Sequence, residues 1–163
     1  MSWLIKVTNI LNRFVVLIAG ISLVGMMFLA CLNMLLRSIW IPLKGTFELM
    51  GFLGAIVTAF ALGYTQIKRA NIAVDILVIR FSTKKKKIVD SINYIINAIF
   101  FGLIAWQTAL WATTLVKTSE VSETLRIIYY PFTYGVALGA GVLSLILFID
   151  FIETLSSKIG GEK

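Results

Sequence analysis

The sequence lacks histidine and contains one cysteine, Cys31, among 163 residues. The chain therefore cannot form an intrachain disulfide or assemble a Cys/His zinc cluster. Charged residues are also scarce, at 14% against about 25% in soluble domains. Hydrophobic residues make up 59% of the chain, and the mean hydropathy is +0.93. This composition excludes an ordinary water-soluble globular domain.

Four stretches contain no Asp, Glu, Lys or Arg: 14–36, 49–67, 91–116 and 127–149. A helix needs about 20 predominantly apolar residues to cross a hydrocarbon core about 30 Å thick. Only helices and closed barrels can span a bilayer, and these stretches lack the apolar and polar alternation of barrel strands. The sequence therefore predicts an all-α membrane protein with four transmembrane helices in a single domain over 1–163.

The basic residues are distributed unevenly about these spans. When successive connections are placed on opposite sides, one side carries eleven Lys and Arg residues and the other carries four. Because cytoplasmic segments carry an excess of such residues, both termini and the 68–87 connection are predicted to be cytoplasmic. Segments 37–48 and 117–126 then lie outside. Topology thus explains the net positive charge, and no nucleic-acid partner is expected.

The 68–87 connection contains two candidate membrane-binding elements. Residues 70–82 have an amphipathic pattern that predicts a short interfacial helix, with an extended β-branched segment as the alternative. Four consecutive cations follow and are interpreted as a topology anchor attracted to membrane lipid. Trp3, near the N-terminus, is a further candidate membrane anchor. These anchoring residues are Trp3, Lys84, Lys85, Lys86 and Lys87.

Turn-forming residues indicate where the spans begin. Pro42 and Gly45 break the chain between the first two helices, and Thr46 is predicted to cap the second. Glu48 falls in the first turn of that helix, where stabilisation by the helix dipole and contact with a partner both remain open explanations. Pro131 is best tolerated at a first helical position, which makes 127–130 an interfacial lead-in to the fourth helix.

Small and amide residues mark helix faces that can pack closely. Small residues recur at four-residue spacing, which allows helix backbones to approach within this chain or in a second subunit. Asn93 and Asn97 form a polar stripe on the third helix, and such amides are expected to bond across helices. The candidates for packing or a partner interface are Gly51, Ala55, Ala59, Gly63, Asn93, Asn97, Gly135 and Gly139.

The sequence shows little sign of catalytic chemistry. All 23 charged residues lie outside the four apolar stretches, and acids such as Asp150 are expected in loops or at helix ends, where solvent satisfies them. Proteins that move polar solutes alone usually keep an ionisable residue within the membrane. No Gly-rich phosphate loop and no Gly-x-Ser-x-Gly elbow is present. These features favour a scaffold or accessory subunit without a cofactor over an enzyme.

The order of several short motifs resembles the small membrane subunit of tripartite ATP-independent periplasmic (TRAP) transporters. The motifs are Asn33-Met-Leu-Leu-Arg37, Gly45-Thr46-Phe47-Glu48-Leu49, Arg69-Ala-Asn71-Ile72-Ala-Val74-Asp75-Ile76-Leu77 and Thr124-Leu125-Arg126-Ile127. The resemblance extends over nearly the whole chain. It departs from the family pattern before the fourth helix, where Ile127-Ile128-Tyr129-Tyr130 stands in place of Ile-Pro-x-Trp.

The resemblance implies a non-catalytic subunit of a sodium-driven importer in a bacterial or archaeal inner membrane. The cargo implied by the resemblance is an organic anion such as a C4-dicarboxylate or a sialic acid. Two protein partners are implied: a large multi-helix membrane subunit, whose fixed scaffold this chain enlarges, and a periplasmic substrate-binding protein. The outer residues implied in docking the binding protein are Arg37, Lys44, Glu48, Lys117, Glu120, Glu123 and Arg126.

Two other functions fit parts of the sequence. A self-sufficient exporter or channel requires a homo-oligomer, for which the face with Gly135 and Gly139 is the candidate interface. A membrane-embedded enzyme or assembly factor requires an unrecognised catalytic group among Asn93, Asn97 and Cys31. Flux through the chain alone favours the first of these, and loss of uptake on alanine substitution of those three residues favours the second.

Overall fold

The structure, a computed structural model, describes residues 2–68 and 83–156, with side chains described for 10–68 and 88–155. It contains four helices: α1 (Ser2–Ser38), α2 (Thr46–Ile67), α3 (Thr83–Thr118) and α4 (Tyr130–Ser156). Each has a segment long and apolar enough to cross a membrane: Ile10–Ser38, Thr46–Ile67, Ile88–Thr118 and Tyr130–Leu155. The predicted class, an all-α protein with four transmembrane helices, is confirmed.

Two of the helices extend well beyond the apolar stretches. α1 has 37 residues and α3 has 36. At about 1.5 Å per residue each is about 55 Å long, which exceeds a hydrocarbon core of about 30 Å. Trp3 therefore belongs to the same helix as the first span, and Lys84–Lys87 belong to the first turns of α3. The amphipathic segment predicted at 70–82 lies outside the described residues.

α4 is the central helix of the described bundle. It contacts α1, α2 and α3, and α1 also packs against α2. In the part of the chain that the structure describes, α3 contacts no helix except α4. The arrangement is therefore a group of α1, α2 and α4 with α3 attached to another side of α4. Accordingly, α4 is the most buried of the four spans and α3 the least.

Small residues bring the backbones of α2 and α4 into direct contact. A Cβ atom added at Gly139 would lie 2.7 Å from the carbonyl oxygen of Ala59 and 2.8 Å from its carbonyl carbon. Beside this crossing, Phe60 joins a buried apolar cluster with Val15 and Ala19 of α1. The close approach follows from the absence of a side chain at Gly139, since any larger residue would hold the helices apart.

α3 packs against α4 through a second apolar cluster and one hydrogen bond. Ala98 of α3 is buried with Leu143 and Leu147 of α4. The Ser144 hydroxyl donates to the carbonyl oxygen of Ala98 at 2.7 Å. Gly102 leaves room for this serine, because a Cβ atom added there would lie 3.2 Å from the Ser144 oxygen. A short hydrogen bond from a serine side chain of α4 to a backbone carbonyl of α3 thus joins the two helices.

Among the described residues of this chain the α3 amides do not bond to another helix, and their role at a partner interface stays a prediction. The Asn97 side chain donates to the carbonyl oxygen of Asn93 at 2.9 Å and to its Oδ1 at 2.7 Å. Both acceptors lie one turn earlier in the same helix. Residues four apart are neighbours on a helix surface, so the Asn97 amide finds its acceptors on Asn93. They therefore contribute nothing visible to the packing of α3 on α4.

Asp150 lies in the last two turns of α4 and is half-buried, whereas it was expected at a helix end where solvent satisfies it. Its carboxylate accepts a hydrogen bond of 2.9 Å from the side-chain amide of Gln66, which is buried in α2. Nearby on α2, a Cβ atom added at Gly63 would lie 3.1 Å from the Asn12 side-chain oxygen and 3.2 Å from the Ile146 side chain. The apolar stretches ended at residues 67 and 149, so sequence hydropathy could not reveal that these two polar groups pair.

Candidate functional site at the two-loop end

The loops 39–45 and 119–129 lie at the same end of the bundle, which we call the two-loop end. The first loop opens with a Schellman-type turn, because Ile41 N donates to Leu36 O at 3.0 Å and Trp40 N donates to Arg37 O at 3.2 Å. Trp40 occupies the left-handed position of this turn, with φ 62°, and is 94% exposed. Glycine is usual there, and a bulky residue is rare.

Two side-chain hydrogen bonds hold the first loop against the helices on either side of it. Leu43 N donates to the Asn33 side-chain oxygen at 3.2 Å, and the Thr46 hydroxyl donates to Leu43 O at 2.9 Å. The predicted cap at Thr46 is therefore wrong: Gly45 is the N-cap, with φ 77°, and no side chain caps α2. Thr46 is 2% exposed. Its hydroxyl stabilises the loop instead of the helix end.

The second loop folds back on itself as a short hairpin. Val121 and Ile128 form an antiparallel bridge, and Ser122 N donates to Ile127 O at 2.8 Å. Arg126 has a left-handed backbone, with φ 52°, and its N–H donates to Ser122 O at 3.1 Å. These residues precede α4, in which Pro131 lies in the first turn. Residues 127–129 therefore belong to the loop and not to the fourth span.

Glu48 joins the two loops. Its carboxylate accepts a hydrogen bond from the Ser122 hydroxyl at 2.8 Å. It also accepts bonds from the backbone N–H groups of Thr124 at 2.7 Å and Leu125 at 3.0 Å. A Cβ atom added at Gly45 would overlap the Leu125 side chain. Hydrogen bonds and a close apolar contact therefore fix the second loop to the start of α2.

The other charged residues of the predicted docking set remain exposed. Six of them lie in the two loops or in the last turns of α1 and α3, and no ion pair joins them among the described residues. They are Arg37, Lys44, Lys117, Glu120, Glu123 and Arg126. Glu48 differs from these six because its two oxygens are occupied by the second loop. The two-loop end thus presents four cations and two anions to solvent.

Residues 26–157 match the family model described as "Tripartite ATP-independent periplasmic transporters, DctQ component". The match includes all of α2, α3 and α4, both loops and the part of the first span from residue 26 onward. The chain belongs to the DctQ family. Members of this family are non-catalytic components that work with a large DctM subunit and a periplasmic binding protein. Searches of curated proteins and of solved structures gave no match.

This DctQ chain is therefore the small subunit of a TRAP transporter and a multi-pass membrane protein, not an enzyme. The family match includes both segments that meet at the two-loop end, around Glu48 and Thr124. Sequence reasoning missed Ser122, which is 1% exposed and is the hydroxyl donor to Glu48. The sequence signal that could have indicated this contact was the presence of two family motifs, at 45–49 and 124–127. One contains Glu48 and the other follows Ser122 closely.

The small-residue candidates of this DctQ subunit have different surroundings. Ala59, Gly63 and Gly139 are buried between helices of the chain itself. Gly51 and Ala55 are exposed, and a Cβ atom added at Gly51 would meet nothing within 4 Å. Gly135 is half-buried beside Ile56 and Phe60 of α2. Close intramolecular packing therefore accounts for Ala59, Gly63 and Gly139, whereas a Cβ atom at Gly135 would make only ordinary contacts, the nearest at 3.7 Å.

An apolar groove of about 370 Å³ lies between α2 and α3 on the surface of α4. It forms because α2 and α3 do not touch within the described residues. Its lining comprises Gly54, Ala55, Thr58, Ala59 and Leu62 of α2, Phe101 and Ile104 of α3, and Val136 and Ala140 of α4. Such a surface suits hydrocarbon and offers no charged group to a polar solute.

Proposed function

We propose that the two-loop end of this DctQ subunit faces the periplasm and receives the substrate-binding protein, while its helices enlarge the fixed scaffold of the large subunit. The chain is a single membrane domain with both termini in the cytoplasm of a bacterium or archaeon. The complete transporter imports an organic anion, such as a C4-dicarboxylate or a sialic acid, with sodium. The grouping of six exposed charges from the two loops and the adjoining helix ends carries the docking proposal.

The net charge of the two-loop end indicates what kind of partner surface it attracts. With Glu48 engaged, the exposed residues comprise four cations and two anions, so the surface is net positive. A binding protein with a complementary acidic patch is steered to such a surface, and charge complementarity raises association rates more than it raises affinity. The distribution of Lys and Arg along the chain supports the placement of this end outside the cytoplasm.

The exposed apolar faces support the scaffold role. On α1, large hydrophobic residues recur at spacings of three and four with more than half of each side chain exposed: Phe14, Leu17, Ile21, Val24 and Phe28. This spacing forms one continuous stripe on a helix. Within a bilayer such a stripe meets a partner helix or lipid tails. The large subunit occupies part of this perimeter, and membrane lipid covers the remainder.

Replacing Arg37, Lys44 and Arg126 together with glutamate is expected to weaken docking of the binding protein by at least about tenfold, because three attractions become repulsions. Membrane insertion should be unchanged, since removing outer cations agrees with the positive-inside bias. The measurement is the affinity of the binding protein for the whole reconstituted transporter at low and high salt. Uptake should fall in parallel.

The matched control is Glu153→Lys, which changes an exposed charge of α4 at the opposite end of the bundle. It should leave docking and uptake as in the unaltered transporter. Docking that is insensitive to the triple reversal at low salt would contradict the proposed surface. Substrate flux through this subunit reconstituted alone would favour the self-sufficient exporter, although the burial of Gly139 against Ala59 leaves that glycine no free face for a homodimer.

The proposed orientation predicts which thiols are reachable from each side of the membrane. Cys31 is the single cysteine, so Cys31→Ser provides a thiol-free background. In that background Glu120→Cys should react with an impermeant maleimide added to right-side-out vesicles. Glu153→Cys should react only after the vesicles are opened. The opposite pattern would place the two-loop end in the cytoplasm and contradict the docking role.

A further inference from the structure

The α3–α4 loop does not supply all of its own hydrogen-bond acceptors. Its internal backbone-to-backbone bonds use the N–H groups of Ser122, Arg126 and Tyr129. The N–H groups of Thr124 and Leu125 point instead to Glu48. Consecutive backbone N–H groups in a turn form a concave site for an anion. Here the anion comes from the first turn of α2 in the same chain.

The Ser122 side chain connects the Glu48 carboxylate to the backbone of the hairpin. Its hydroxyl accepts a hydrogen bond of 3.1 Å from Ile127 N and donates one of 2.8 Å to Glu48. Ser122 is almost completely buried, so no solvent can replace either partner. Hydrogen bonds therefore connect Ile127 of the hairpin, through the buried Ser122 hydroxyl, to Glu48 in the first turn of α2.

The backbone of the second loop needs an external restraint. Ser119 and Arg126 are both left-handed, with φ values of 54° and 52°. Non-glycine residues adopt this region at a cost and keep it only where their surroundings hold them there. The bonds to Glu48 fall directly before Arg126, and the contact of Leu125 with Gly45 reinforces them.

We propose that Glu48 is the positioning residue of the docking surface: its carboxylate fills the anion site of the second loop and holds the charges of both loops in one arrangement. Glu123 lies between two residues that bind this carboxylate, and Arg126 follows the third. Their positions relative to Lys44 are therefore set by Glu48. This inference rests on the proposed docking function of the two-loop end.

The test uses the whole transporter with spin labels at Lys44→Cys and Glu123→Cys in the Cys31→Ser background. Glu48→Ala is expected to broaden the distance distribution between the labels and, in a separate unlabelled preparation, to weaken docking of the binding protein by about tenfold. The matched control is Glu153→Ala, which removes an exposed carboxylate at the other end of α4. It should change neither measurement.

Chemical rescue distinguishes an anion requirement from general damage to the fold. Formate or acetate should restore the narrow distance distribution and the docking affinity of Glu48→Ala, because either carboxylate fits the space that the substitution opens. Glu48→Gln should not respond to formate, since its amide fills that space and presents N–H donors to the N–H donors of the loop. Ser122→Ala should weaken docking in the same direction without rescue.

The outcomes separate this inference from the function on which it rests. If the triple charge reversal weakens docking and Glu48→Ala changes neither the distances nor the affinity, the positioning role is overturned. If neither the reversal nor Glu48→Ala alters docking, the proposed docking function fails. A Glu48→Ala protein whose loss of docking does not respond to formate or acetate would indicate general misfolding and would also overturn the positioning role.

Discussion

Gly139→Leu is expected to separate α2 from α4 and to prevent the subunit from folding as described. A Cβ atom at this position would lie 2.7 Å from Ala59 O, 2.8 Å from Ala59 C and 2.9 Å from Ala59 Cβ. Two of these atoms belong to the backbone, which cannot rotate away as a side chain can. Overpacking of this kind costs about 1 to 3 kcal/mol, and the larger side chain belongs at the upper limit.

The measurement is the free energy of unfolding of the isolated subunit in mixed micelles, followed by helicity. Gly51→Leu is the matched control, because a Cβ atom there would meet nothing within 4 Å. Since leucine also favours a helix over glycine by up to about 1 kcal/mol, this control should be neutral or slightly stabilising. Equal stability of the two leucine variants would show that the crossing is not as tight as the structure indicates.

Gly45→Val is expected to produce the second largest effect, at the junction of the two loops. Gly45 has φ 77°, a conformation that costs an L-residue about 1 to 2 kcal/mol and is least accessible to a β-branched residue. The added side chain would also overlap Leu125. We therefore expect a loss of about 2 to 3 kcal/mol in the free energy of unfolding, by adding about 1 kcal/mol of overpacking to the strain.

Two further variants separate the backbone cause from the steric one. Leu125→Ala combined with Gly45→Val removes the overlap and should recover only part of the loss. Gly45→Asn, which tolerates the left-handed region better, should destabilise less than Gly45→Val in the wild-type background. The same unfolding measurement applies to all variants. If Gly45→Val matched the stability of the unaltered subunit, neither the left-handed conformation nor the Leu125 contact would be present.

Local sequence patterns predicted the elements of this protein well. The four uncharged stretches correspond to the four helices, and motifs near Glu48 and Thr124 placed the chain in its family before any contact was known. Local sequence patterns were less successful in predicting the hydrogen-bond partners of polar side chains. Thr46 was assigned to the wrong partner, the amides of Asn93 and Asn97 were expected to bond between helices, and Asp150 was expected in solvent.

The sequence by itself determined that the chain consists of membrane-spanning helices, because the cost of placing charge in hydrocarbon can be summed along a short window. Only the tertiary structure decided that α4 is central, that Glu48 binds a loop beginning 71 residues later, and that Gln66 pairs with Asp150. Helix crossings bring such groups together. The partner of a polar side chain therefore depends on packing geometry, which no local pattern contains.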